Sequence, residues 1–182
     1  MKRIKLFSAC ATVILCCSFM FPDTLLAQEN PELSDAEVAH AAVTANQIDI
    51  DYAALAKEKS VNAEILKFAE TMSTDHKAVI DQAVALVQKL GVTPADNAVS
   101  KKLLADAEQT KKALRATSGD AFDKAYIDNE VAYHKAVISA VEGLLIPEAE
   151  HAELKALLQN VVPALQAHLD HAEMVQSQLN EK

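Results

Sequence analysis

Hydrophobic and small residues recur every three or four positions through most of the chain, and this spacing predicts five helices. The first begins at a capping box formed by Ser34 and Glu37. Asn62 is the expected cap of the second, and Gly91 lies where a left-handed residue closes a helix. The predicted ranges are 34–59, 62–90, 100–117, 121–146 and 149–180.

Three further residues are expected to shape the later helices. We expect Asp120 to cap the fourth helix and Pro147 to end it. Pro163 lies inside the pattern of the last helix, where a missing N–H predicts a kink.

The lengths of the connections predict how the helices pack. Broad apolar stripes must be buried against one another, and the short links after the first helix and around Pro147 indicate two antiparallel hairpins. The segment 92–119 is long enough to carry the chain back along the bundle. The sequence therefore predicts an all-α, ferritin-like four-helix bundle with a short extra helix in the crossover. A plain five-helix bundle is the alternative.

Residues 1–27 have the pattern of a secretory signal peptide. A basic start at residues 1–5 precedes 16 residues without charge, and Ala27 is the small residue before the expected cut. This apolar run is shorter than the roughly 20 residues of a membrane span, so cleavage is favoured over an uncleaved anchor. We expect a periplasmic protein without a transmembrane segment after cleavage, with a leader at 28–33 and the bundle at 34–182.

Removing residues 1–27 changes the composition. All three cysteines leave with the signal peptide, so neither a disulfide nor a thiolate metal site is expected. Residues 28–182 retain 14 basic and 25 acidic residues, a balance that argues against a nucleic-acid partner. Three glycines in the chain exclude a glycine-rich phosphate loop and a nucleophile elbow. Any catalysis would therefore have to come from a bound metal, and the oligomeric state is left open.

Ionisable residues interrupt the apolar stripe of each main helix. Asp49 lies on the first stripe and His76 on the second, Glu130 and His134 lie one turn apart on the fourth helix, and His168 lies on the last. Buried ionisable groups are costly unless they are paired or bind a metal. Imidazole and carboxylate together suit a divalent ion such as Fe, Zn, Mn or Cu. The five residues are the candidate metal ligands.

The depth of these residues in the bundle is compatible with a shared site. His76 and His134 each lie about 14 residues into their helices at about 1.5 Å per residue, so they are expected at one level. Asp49 is expected about one turn from His76, and His168 nearer the level of Glu130. In the alternative interpretation, these are core histidines that hydrogen-bond to neighbours: His134 to Glu130 or Tyr133, and His76 to Asp49.

The remaining histidines are weaker candidates. His40 and His151 each end a Glu-x-x-His sequence, the spacing found in di-iron bundles, but both lie where a helix is expected to begin. His171 follows His168 by three residues and either faces the same ion or lies on the surface.

Four segments carry a resemblance to a known family. They are DIDYAALA at 49–56, FAETMSTDH at 68–76, FDKAY with EVAYH at 122–134, and PALQAH at 163–168. Over nearly all of residues 36–180 the chain resembles the bacterial domain of unknown function family 4142. That resemblance implies a secreted, ferritin-like helical protein whose activity is not established.

Two functions follow as expectations. The first is an exported bundle that binds a metal ion in metal or stress handling at the cell envelope. The alternative is a non-catalytic structural bundle that binds an envelope protein partner and no metal. The chain lacks the four mid-helix glutamates of di-iron proteins, and its two Glu-x-x-His sequences lie at expected helix starts rather than in mid-helix, which argues against ferroxidase or iron-storage activity.

Overall fold

Helices account for nearly all of residues 32–181, the part of the chain that the computed structural model describes. They are α1 (Asp35–Lys59), α2 (Ala63–Leu90), α3 (Ala98–Arg115), α4 (Gly119–Ala140), α5 (Ile146–Glu148) and α6 (Ala152–Asn180), with a π-helical turn at Val141–Leu145. No strand occurs in this range, so the all-α prediction is confirmed. The expected signal peptide, residues 1–27, and residues 28–31 of the leader lie outside the described residues.

Local sequence explains where the first two helices begin and end. The Glu37 carboxylate accepts hydrogen bonds from the Ser34 N–H at 3.0 Å and the Ser34 hydroxyl at 2.8 Å, within the predicted capping box. The Asn62 side chain accepts from the Glu64 N–H at the start of α2. Gly91 follows α2 with φ 67°, the left-handed conformation that glycine adopts at low cost.

Two predicted boundaries of the fourth helix are wrong. Ser118, in an extended conformation, precedes α4, and Asp120 lies inside its first turn, where its charge faces the positive end of the helix dipole. Pro147 does not end the helical run. The π turn comes first, in which the Ile146 N–H donates to the Val141 carbonyl, and Pro147 then lies at the start of α5, where its missing N–H costs little.

The helices form two hairpins joined by α3. α1 packs on α2, and α4 packs on α6. At one end the Ala95 N–H donates to the Ala36 carbonyl, and at the other the Lys59 ammonium donates to the Arg115 carbonyl. α3 therefore runs parallel to α1 and returns the chain along the bundle. This is the crossover arrangement that the sequence predicts, with the connection type of ferritin-like bundles.

The core consists of two apolar clusters. The aromatic cluster contains Tyr52, Phe68, Phe122 and Tyr126 with the aliphatic residues around them. The aliphatic cluster occupies the other half of the bundle and includes Leu33, Val38, Val87, Leu145, Leu158 and Leu165. His76, His134 and His168 each lie between the residues that their helices contribute to the two clusters. Among residues 32–181, no helix is long and apolar enough to cross a bilayer.

Candidate metal centre

Three histidines from three helices meet in the core. His76 from α2, His134 from α4 and His168 from α6 are all buried. Their ring centroids are 5.1 to 5.7 Å apart. One ring nitrogen of each lies within 4.8 Å of one ring nitrogen of each of the others. The three imidazoles can therefore reach a single ion.

Asp49 from α1 joins two of these imidazoles. Its Oδ2 atom is 3.3 Å from Nε2 of His76 and 3.4 Å from Nε2 of His134. Neither carboxylate oxygen makes a hydrogen bond. Ligand atoms about 2.1 Å from a tetrahedral ion lie about 3.4 Å from one another. The observed separations are thus those of neighbouring ligands on one ion.

The second ring nitrogen of His76 is anchored outside the cluster. Nδ1 lies 2.8 Å from the Oδ1 atom of Asn46. The Asn46 amide nitrogen donates to the Ala42 carbonyl, which orients its oxygen towards His76. His76 therefore donates from Nδ1 and keeps a lone pair on Nε2, which faces Asp49.

The other two histidines are anchored in the same way. The Nδ1 atom of His134 donates to the Glu130 backbone carbonyl at 3.0 Å, and Nε2 of His168 lies 3.0 Å from Oδ2 of Asp75. The remaining nitrogens, Nε2 of His76, Nε2 of His134 and Nδ1 of His168, are buried without a hydrogen-bond partner. Metal-binding histidines show this pattern, in which an acceptor holds one nitrogen and the ion takes the other.

Burial keeps His76 and His134 in the neutral form that binds metals. Desolvation and the neighbouring imidazoles lower the pKa of His76 to about 3. Desolvation, partly opposed by the bond to Glu130, lowers the pKa of His134 to about 4. Desolvation raises the pKa of Asp49. A proton on Asp49 can satisfy one of the two facing nitrogens, whereas a divalent cation satisfies Asp49 and all three imidazoles.

Glu130, the fifth predicted ligand, has a different position. It is fully buried, and its Oε2 atom is 3.7 Å from Nδ1 of His134. Its carboxylate groups with Asp49 and His134 but not with His76 or His168. Burial and the nearby Asp49 raise the pKa of Glu130 well above its ordinary range.

A cavity of about 550 Å³ distinguishes Glu130 from the other four residues. Asp49 and the three histidines line this cavity, whereas Glu130 does not. The structure thus places four of the predicted ligands on one open wall, with Glu130 off that wall and within reach of Asp49 and His134.

The ring of His168 lies 5.6 Å from that of His134. Its helix, α6, begins at Ala152 rather than at 149, after a π turn and α5. His168 thus meets His134 in the core, and its level relative to Glu130 stays a prediction.

The weaker histidines stay outside the cluster. His171 packs edge-on against Phe68 with ring centroids 5.1 Å apart. His151 caps α6 by accepting from the Glu153 N–H, and His40 lies near the start of α1. The Glu-x-x-His sequences therefore belong to helix ends, as predicted.

Two anchoring residues, Asn46 and Asp75, have no strong signal in the sequence. Asn46 lies one turn before Asp49 on α1, and Asp75 directly precedes His76 yet binds His168. A metal-binding histidine usually donates its second ring N–H to a nearby acceptor, so such acceptors could have been sought in the sequence. Identifying them requires the directions of side chains on three different helices, which the sequence does not give.

The family to which the chain belongs follows from a match over most of its length. The family described as "Domain of unknown function (DUF4142)" matches residues 22–175. The chain belongs to the DUF4142 family. The resemblance found in the four sequence segments is therefore confirmed. No curated protein and no solved structure matches this DUF4142 protein, so its function has to be argued from the site itself.

Proposed function

We propose that this DUF4142 protein binds one divalent transition-metal ion through His76, His134, His168 and Asp49. The observation that carries the proposal is the pairing of free and anchored nitrogens. Three buried imidazoles each hold one nitrogen on an acceptor and leave the other without a hydrogen-bond partner. Asp49 lies 3.3 Å and 3.4 Å from two of these free nitrogens. Core histidines that served only packing would not need three separate anchors.

The donor set restricts the ion. Three imidazoles and one carboxylate suit Zn, Fe, Mn or Cu(II), and no thiolate lies among residues 32–181 to favour a soft ion. A divalent ion also balances charge, because the Asp49 and Glu130 carboxylates together supply two negative charges when ionised. Glu130 acts in this account through the local field and not as a ligand.

Export to the periplasm is part of the same proposal. The signal-peptide pattern of residues 1–27 supports it. An exported protein with a nitrogen-rich ion site fits metal or stress handling at the cell envelope. The mass of the protein recovered from a periplasm tests this part, because cleavage after Ala27 predicts a chain that begins at Gln28.

Elemental analysis tests the metal site. Residues 28–182 exported to a periplasm should contain close to one ion per chain. The variant His76→Ala/His134→Ala should contain none, because two of four ligands are lost. His171→Ala is the matched control, since this histidine lies one turn from His168 but outside the cluster. It should retain the ion, and circular dichroism checks that both variants remain helical.

The proposal would be contradicted if the parent protein, like the double variant, contained no metal even after addition of Fe, Mn, Zn and Cu salts. The alternative function, a structural or partner-binding bundle of the cell envelope, would then stand.

A further inference from the structure

The cavity beside the metal centre is far larger than an ion requires. Its volume of about 550 Å³ lies within the range of about 300–1,000 Å³ found for small-molecule sites. All the long helices contribute to its wall.

Alanines create this space. Eleven alanines line the cavity, at positions 39, 41, 42, 45, 78, 83, 107, 132, 136, 140 and 164. Interiors of bundles are close-packed when larger side chains fill the gaps between helices. Here the small side chains leave a volume open in the aliphatic half of the molecule.

The wall changes character along its length. On α6 it extends from Leu154 to His168, a distance of about 21 Å at about 1.5 Å per residue. The end towards Leu154 is bounded by Leu145, Leu158 and neighbouring aliphatic residues, whereas Asp49 and the three histidines lie at the other end. A molecule that fills this space needs a long apolar body and one polar end.

The charged side chains that line the cavity indicate which polar group a bound molecule would carry. No Lys or Arg lines the cavity among the described residues. Besides Asp49, its acids are Asp75, which is bonded to His168, and Asp106, which is paired with Lys102. The bound ion would therefore be the source of positive charge on the wall. A tetrahedral site can expand to five-coordinate when a further ligand binds, and the cavity is the side from which such a ligand can approach Asp49 and the three histidines. An oxygen anion fits such a position, and its binding would depend on the metal.

We propose that the cavity binds a medium-chain aliphatic carboxylate, with the carboxylate on the metal ion and the chain along the alanine-lined wall. This inference rests on the proposed metal site. The cavity also borders the π turn, because Val141 and Leu145 come from that turn and line the cavity. π-Helical turns occur frequently at functional sites.

Calorimetric titration with decanoate tests the inference. The metal-loaded protein should bind one decanoate at least about tenfold more tightly than the metal-free protein, the effect expected for a charge-assisted contact. In the series from acetate to decanoate, each buried methylene should strengthen binding about fourfold. Decanol, which has the chain without the carboxylate, should bind both forms alike.

A cavity-filling variant sharpens the test. Val161→Trp on α6 places a large ring in the apolar part of the cavity, away from the four ligands. It should weaken decanoate binding at least tenfold and leave the metal content at one ion. Val84→Trp on α2 is the control, because Val84 is exposed and does not line the cavity. Ala136→Leu obstructs the cavity from α4 and replaces Val161→Trp if that variant does not fold.

The possible failures are distinguishable. A protein without metal overturns the proposed function. A metal-loaded protein that binds no decanoate, or binds it equally with and without the ion, overturns only the carboxylate inference. The same holds if affinity does not increase from acetate to decanoate, or if the folded cavity variant binds as tightly as the parent.

Discussion

The two halves of the bundle differ in how they are packed. In the aromatic cluster, Phe68 and Tyr126 meet edge to face with ring centroids 6.2 Å apart, and Tyr126 stacks on Phe122 at 6.1 Å. In the aliphatic half, alanines line a cavity of about 550 Å³. The histidines lie between the two. The aromatic half is filled by packed rings next to the candidate ligands, whereas the aliphatic half leaves open the space in which we propose that a molecule binds.

Core truncations should have the largest effect and should differ between the halves. Leu114 is buried in the aromatic cluster and does not line the cavity, so Leu114→Ala should lower the free energy of unfolding by about 4 kcal/mol. Leu158 is equally buried but lines the cavity, so Leu158→Ala should cost about 2 kcal/mol, the low end for such a change. Urea unfolding of both variants measures the difference. Equal losses would mean that the two halves are packed alike.

Metal binding should stabilise the fold by a comparable amount. At free ion about 1,000-fold above Kd, the free energy of unfolding should rise by about 4 kcal/mol. For a domain of this size, this corresponds to an increase in Tm of about 8–16 °C. Thermal unfolding with and without the ion measures the shift, and His134→Ala should abolish it. A shift that persists in that variant would place the ion elsewhere.

Loss of an anchor should weaken metal binding without removing a ligand. Asn46→Ala frees Nδ1 of His76, and Asp75→Ala frees Nε2 of His168. Each should reduce metal affinity about 10–100-fold, the usual effect of an outer-shell partner. Competition with a chelator measures this ratio. Asp81→Ala is the control for Asp75→Ala, because Asp81 is an exposed acid of α2 that is paired with Lys77. The metal affinity of this control variant should match that of the parent protein.

The smallest effect is expected at a helix cap. Asn62→Ala removes the acceptor for the Glu64 N–H at the start of α2 and should lower the free energy of unfolding by about 1 kcal/mol. The folded variant should bind metal as the parent does, because the cap lies in the aromatic half, more than three turns from His76. A reduced affinity would show that the position of α2 is set at its end rather than by its core contacts.

The sequence predicts the helices because their signals are local. The Ser34 box, the Asn62 cap and Gly91 act on nearby backbone groups, so their positions follow from the neighbouring residues alone. The π turn before Pro147 has no comparable local signal, and the last helix begins at Ala152, three residues after the predicted start.

The candidate site could be predicted in part. Ionisable residues on apolar stripes indicate His76, His134, His168 and Asp49, since burial forces such groups to find partners. Glu130 satisfies the same criterion but does not line the cavity. Glu130 and His134 lie one turn apart on the same stripe of α4, and the spacing of the sequence alone cannot show which of the two side chains reaches the cavity. Asn46 and Asp75 act across helices, so their role depends on tertiary geometry.

X-ray absorption spectroscopy on the metal-loaded protein tests the central claim most directly, because it reports the ligands of the ion itself. The account predicts a first shell of nitrogen and oxygen with the outer-shell scattering of three imidazoles. His168→Ala should reduce that number to two, and His171→Ala should leave it at three. A first shell without imidazole, or with the same number of imidazoles in His168→Ala, would contradict the account.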